Sequence, residues 1–205
     1  MKEIAKLLFN NDKNYEIFIE NIIQTFDVCA KQFKFPEIDS LIPNKKIADL
    51  IIPLLNGDEA FDSSELTAII LYTSQKNEIE KYSDVFLSIS LSEMYHYDSL
   101  QELIKKLGGK ITQFYSNEYA RKLGSTPKEA LQIAIDAENQ TISNLEKVID
   151  KISKITEYPQ RGTIIQYLSK ILEDEKVHLS IFQKHLINES MVDITTGKSN
   201  IVVNI

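Results

Sequence analysis

The stretch SEMYHYD, Ser92–Asp98, sets Glu93 three residues before His96 inside a run whose apolar residues recur at helical spacing. Phe86, Ile89, Leu100, Leu103 and Leu107 step along the same stripe, so both polar side chains fall in the middle of an apolar helix face. The spacing returns in EDEKVHL, Glu173–Leu179, where Glu175 precedes His178 within the stripe Ile164, Leu168, Ile171 and Phe182. The chain has 3 histidines, so this arrangement holds two of them. Residues three apart share one helix face, so each pair can reach a common point.

Working outward, the chain reads as helices. One runs roughly from Asn14 to Phe33, followed by a linker bounded by Pro36 and Pro43. A short apolar piece, IADLIIPLLNG, is interrupted by Pro53 and closed by Gly57. Four longer helices follow. The first starts near FDSSEL, with Asp62 or Ser63 as its cap, and runs to about Glu78. The second spans about Ser83 to Leu107 and stops at Gly108 and Gly109. The third opens at STPKE, where Thr126, Pro127 and Glu129 make a capping box, and runs to about Ile155. The fourth follows Pro159, from Arg161 to about Ile187.

Short connections join the first to the second and the third to the fourth, which implies two antiparallel hairpins. The stretch Gly108–Ser125 between them is long enough to cross a bundle, and one long crossover is a ferritin-like topology. The expected fold is therefore all-α. Residues 1–57 form an N-terminal helical extension, 58–187 a four-helix bundle, and 188–205 a C-terminal arm or hairpin rich in β-branched residues.

Composition narrows the function. A hydrophobic share of 43% with 26% charged residues suits a soluble globular chain. A net charge of −7 argues against nucleic acid, whose phosphates need clustered cations. No run approaches the ~20 apolar residues of a membrane span, and no signal peptide is evident, so a cytoplasmic setting is expected. The 1 cysteine, Cys29, rules out a disulfide within the chain and any Cys-x-x-Cys site.

The other two bundle helices also carry an acid mid-stripe. Glu65 shares a face with Phe61, Ala68, Ile69 and Tyr72; Glu138 shares one with Leu131, Ala134, Ile135, Ile142, Leu145 and Ile149. Each helix thus sends one glutamate into the common core, and two add a histidine. No lysine or arginine lies on these stripes. Four buried, unpaired carboxylates would each cost several kcal/mol, roughly, and two divalent cations would cancel their charge. Many carboxylates with two imidazoles favour octahedral iron or manganese over tetrahedral zinc. The expected metal ligands are Glu65, Glu93, His96, Glu138, Glu175 and His178, with iron favoured.

SELTAIILY, SEMYHYD, IAIDAENQTISNLEKVI and ILEDEKVHLSIF, in that order, resemble the four helix motifs of the rubrerythrin and bacterioferritin branch of the ferritin-like superfamily. The resemblance covers roughly residues 58–187. It implies two iron or two manganese ions per chain and oxidoreductase chemistry on hydrogen peroxide, O2 or Fe2+. It also implies that Asp174 supports a histidine of the centre. Tyr72, two turns beyond Glu65 on the same face, is the candidate catalytic residue; it either bonds a ligand carboxylate or relays an electron. The four-cysteine rubredoxin module usual in rubrerythrins has no counterpart here, so an external electron donor is expected, as is a homo-oligomer, dimer or larger. The competing readings are iron storage or handling, and a non-redox structural or coat protein whose metal staples the bundle. His185 lacks a glutamate at i−3 and is expected to be no ligand.

Overall fold

A computed structural model describes residues 35–57, 63–111 and 123–195, with side chains described as far as Ser190. Among these residues the chain is α-helical with no strand: α1 Lys45–Asn56, α2 Glu65–Glu78, α3 Ser83–Lys106, α4 Pro127–Ser153 and α5 Arg161–Thr195. A 3-10 turn, Glu80–Tyr82, joins α2 to α3. α2 packs along α3 and α4 along α5, giving the two expected hairpins, and α1 lies across α2, α3 and α4. The helix expected at 14–33 falls outside the described residues, as do Cys29, residues 112–122 of the crossover and the arm beyond Thr195.

The apolar core is in two layers with a polar layer between them. One layer holds Leu100, Leu103, Leu145, Val148, Leu168 and Ile171, capped by Ile47, Ile51 and Leu55 of α1. The other holds Leu71, Tyr72, Phe86, Ile89, Leu131, Ile135 and Phe182. Along α3 the order is Ile89, then Glu93 and His96, then Leu100. Along α5 it is Ile171, then Glu175 and His178, then Phe182. The mid-stripe polar residues therefore meet at one level.

Capping sets the helix starts. Ser64, rather than Asp62 or Ser63, caps α2, and its hydroxyl accepts from the Thr67 N–H at 3.3 Å. The Ser63 hydroxyl is engaged elsewhere, with Thr141 of α4 at 2.9 Å. Thr126 caps α4 as expected, accepting from the Glu129 N–H at 3.2 Å. The Glu129 carboxylate reaches one residue past the cap and accepts from the Ser125 N–H at 2.9 Å.

Three segments differ from their expected form. Pro53 does not interrupt its apolar piece; it sits in the last turn of α1, which continues to Asn56 and ends at Gly57 with φ 73°. The missing proline N–H leaves only the Asp49 carbonyl without its helical donor, on the exposed side of the helix. α1 also belongs to the core. Ile47, Ala48, Ile51 and Leu55 are fully buried, and a Cβ on Gly109 would lie 2.7 Å from Ala48 Cβ, so glycine lets the end of α3 approach α1. Finally, α5 runs eight residues past Ile187, to Thr195, so the start of the supposed arm is helix. Glu189 anchors the added turns by pairing with Lys81 and accepting a hydrogen bond from Tyr82.

Candidate metal centre

The structure brings the six expected ligands together at the polar layer. Glu65, Glu93, Glu138 and Glu175 are each 1% exposed, His96 is 0% and His178 4%. Glu65 opens α2, Glu93 and His96 lie mid-α3, Glu138 lies mid-α4, and Glu175 and His178 lie mid-α5. Two sets of four have ligand atoms within 4.8 Å of one another: Glu65, Glu93, His96, Glu175 and Glu93, Glu138, Glu175, His178. Glu93 and Glu175 belong to both. A pair of cations held there would share two carboxylates, one from each hairpin, and each would have one further glutamate and one histidine of its own.

Ring orientation fits this use. His96 Nδ1 faces the carboxylates, 2.9 Å from Glu175, 3.2 Å from Glu93 and 3.8 Å from Glu65. His178 Nδ1 likewise lies 3.0 Å from Glu93 and 3.7 Å from Glu175. Each Nε2 points the other way, toward Asp174. The test of fit is in the unmatched atoms. Both oxygens of Glu65, Glu93 Oε1, Glu138 Oε2, Glu175 Oε1 and His178 Nδ1 are buried with no aligned hydrogen-bond partner. Buried polar atoms are nearly always satisfied, so a cluster of orphans facing one point is a site short of a positive ligand. The donor set of carboxylates and imidazoles suits hard to borderline divalent metals.

Burial and mutual repulsion set the protonation states of the metal-free centre. Burial, with the charges of Glu175 and Glu93, pushes the Glu65 carboxyl well up. Burial and the same two charges push Glu138 up. Glu93 and Glu175 are also buried, yet hydrogen bonds and charge from His178 and His96 hold both below the usual carboxylate range. Burial alone would lower the two histidines, but their carboxylate neighbours overcome it and hold both imidazoles protonated well above their ordinary range. The carboxylates are thus not all unpaired, as the sequence suggested. Two are pushed toward the neutral acid, and two lie against imidazoles that are pushed toward imidazolium.

A surrounding shell fixes the ligands. The Tyr72 hydroxyl donates to Glu138 Oε1 at 2.5 Å, so of its two expected roles the geometry places it on a ligand carboxylate. Burial among the carboxylates raises its own ionisation far above the ordinary value, so it remains a donor. Tyr72 packs at 5.3 Å from Phe182 and 6.3 Å from Phe86, ring centre to ring centre, which forms an apolar wall. Asp174 Oδ2 lies 2.8 Å from His96 Nε2 of α3 and 3.9 Å from His178 Nε2 of its own helix. Ser92, unmarked in the sequence reading, donates to the same Asp174 oxygen at 3.0 Å. His185 is no part of the centre; its ring lies against Tyr82 at 5.0 Å.

The rubrerythrin family profile matches residues 59–186, which span all four bundle helices and every residue of the centre. The chain belongs to the rubrerythrin family. That membership places α2–α5 in the ferritin-like superfamily and accounts for the crossover topology and the four motifs in order. No curated protein sequence matches this rubrerythrin-family chain. Among the described residues, no helix is long and apolar enough to cross a membrane.

Proposed function

We propose that this chain is a dinuclear metal oxidoreductase of rubrerythrin type that reduces a small oxidant, hydrogen peroxide or O2, with iron preferred to manganese. One observation supports this above the rest: two buried four-ligand sets share Glu93 and Glu175. Glu65 and His96 complete one position, and Glu138 and His178 the other. A redox metal pair held there supplies two electrons to a peroxide O–O bond.

The chain's own residues do the rest. Glu93 and Glu175, common to both sets, would be shared by the two metals. Asp174, braced by Ser92, keeps the His96 Nε2 protonated so that Nδ1 presents its lone pair inward. Tyr72 holds a proton on Glu138 Oε1, beside the site, and the Phe86 and Phe182 rings exclude water from that flank. Reducing one peroxide to two waters consumes two electrons and two protons. The given sequence holds one cysteine, too few for a four-cysteine iron site, and the proposed reaction draws its electrons from an external donor.

The test is an anaerobic reconstitution with Fe2+, then addition of peroxide in sub-stoichiometric steps. About one peroxide should be consumed per pair of ferrous ions, after which consumption stops until a reductant is added. Sustained O2 release from peroxide without a donor would replace this reading with catalase chemistry. Retention of two metals with no oxidation by either oxidant would leave a structural metal staple.

A further inference from the structure

Resting on the dinuclear reading, we infer that the two metal positions are unequal, and that Asp174, Ser92 and Tyr72 make the Glu65–His96 position the tight one, filled first. The ligands common to both positions, Glu93 and Glu175, cannot distinguish them. The private ligands can. His96 Nε2 lies 2.8 Å from Asp174 Oδ2, and Ser92 Oγ donates to that same oxygen at 3.0 Å, fixing the carboxylate against this one ring. An imidazole whose far N–H donates to a carboxylate is a stronger metal base through its near nitrogen. His178 Nε2 stands 3.9 Å from the same oxygen, beyond hydrogen-bond reach, so its ring lacks that support.

The private glutamates differ in the same direction. Glu138 Oε1 accepts the Tyr72 hydroxyl at 2.5 Å, and a donor on a carboxylate draws off the electron density a cation would use. Neither oxygen of Glu65 has a hydrogen-bond partner. One position thus pairs a glutamate that carries no phenol donor with a carboxylate-backed imidazole. The other pairs a phenol-bonded carboxylate with an unbacked imidazole. Partners of this kind are worth roughly 10- to 100-fold in metal affinity.

The asymmetry has a chemical use. Glu65 and His96 would retain one ion, and Glu138, with the Tyr72 hydroxyl on its Oε1, would hold the second more loosely. Asp174, Ser92 and Tyr72 act through ligands and are positioning residues.

The experiment is an anaerobic Co2+ titration of the metal-free full-length chain, read by the visible d–d bands and by dialysis for ions bound, with no turnover involved. Two shared carboxylates would give two steps even in a symmetric centre, so the variants decide. His178→Ala should keep the tight step near its original affinity, and His96→Ala should abolish it. Asp174→Asn should weaken the tight step by about 10- to 100-fold, and Ser92→Ala, which touches no ligand, by a smaller factor in the same direction. Tyr72→Phe should strengthen only the second step. Circular dichroism checks that each variant folds. Equal damage to the tight step from His96→Ala and His178→Ala, with two ions still bound by the wild type, would overturn the asymmetry alone. A wild-type chain that takes up no Co2+ would end the dinuclear reading and this inference with it.

Discussion

Filling the centre with metal should expel protons, and the protonation states of the empty centre say how many. Burial pushes Glu65 and Glu138 toward the neutral acid there, while mutual pairing pushes Glu93 and Glu175 toward the carboxylate and His96 and His178 toward imidazolium. In that limit the charges are two negative and two positive, summing to zero. With two divalent ions bound, four carboxylates balance four positive charges and both imidazoles are neutral, again summing to zero. Up to four protons therefore leave as two cations enter. The product of the two binding constants should rise by up to about 10⁴-fold per pH unit near neutrality, equivalent to about 5 kcal/mol. An anaerobic, weakly buffered solution near pH 7 given two equivalents of Co2+ and back-titrated in a pH-stat would count the protons directly. Release of one proton or none per pair of ions would refute the reasoning, because the carboxylates would then be ionised and the histidines neutral before metal arrives.

The same groups set the pH dependence of stability. Glu65, Glu138, His96 and His178 have raised folded values, so the metal-free fold retains protons the unfolded chain releases. Their contribution is present below the unfolded values and is lost as pH rises through the folded ones. Glu93 and Glu175 act oppositely and lose theirs as pH falls. The melting temperature of the metal-free chain should drop above neutrality while the loaded chain holds, so calorimetry at pH 6 and 8 should show a gap that widens with pH; a constant gap would count against it. Glu138→Ala should bind one ion instead of two, and its apo form should melt no lower than wild type, since a buried acid is gone; Asp136→Ala and Glu146→Ala, both exposed, serve as controls on metal content. Phe182→Ala should cost about 3–5 kcal/mol in urea unfolding, as its fully buried ring packs on Tyr72 and Phe86. Gly124→Ala should destabilise by more than about 1 kcal/mol, because φ is 81° and the new Cβ would sit 2.6 Å from the Ala130 nitrogen.

The ligands were legible because helix geometry is local. Glu93 with His96, and Glu175 with His178, can be read from a spacing of three, and Glu138 from a stripe on which Leu131, Ala134, Ile135 and Leu145 are buried while Ile142 and Ile149 are only partly so. Tyr72 was legible as a face-mate of Glu65, though its bond to Glu138 crosses from α2 to α4. What could not be read depends on contacts between helices. Ser92 meets Asp174 across 82 residues, and no periodicity in either helix signals the pairing. Asp174 was expected to support a histidine of the centre, but which one depends on the crossing of α3 and α5, which gives its hydrogen bond to His96. The ion pairing of the empty centre was hidden for the same reason, since each histidine is neutralised partly by the other hairpin's glutamate. α5 outran its expected end because the β-branched residues after Ile187 suggested extended chain, while the partner of Glu189 lay on α3's approach, at Lys81 and Tyr82.

Each hairpin contributes a glutamate and a Glu-x-x-His, and each lends one glutamate to the position chiefly owned by the other. In the logic of assembly this is an AND gate. The first hairpin made during synthesis brings Glu65, Glu93 and His96 together but lacks Glu175 until the second has docked, and the second lacks Glu93 in the same way. Neither half completes a four-ligand set alone. A complete four-ligand set therefore exists only once both halves have met in the right register.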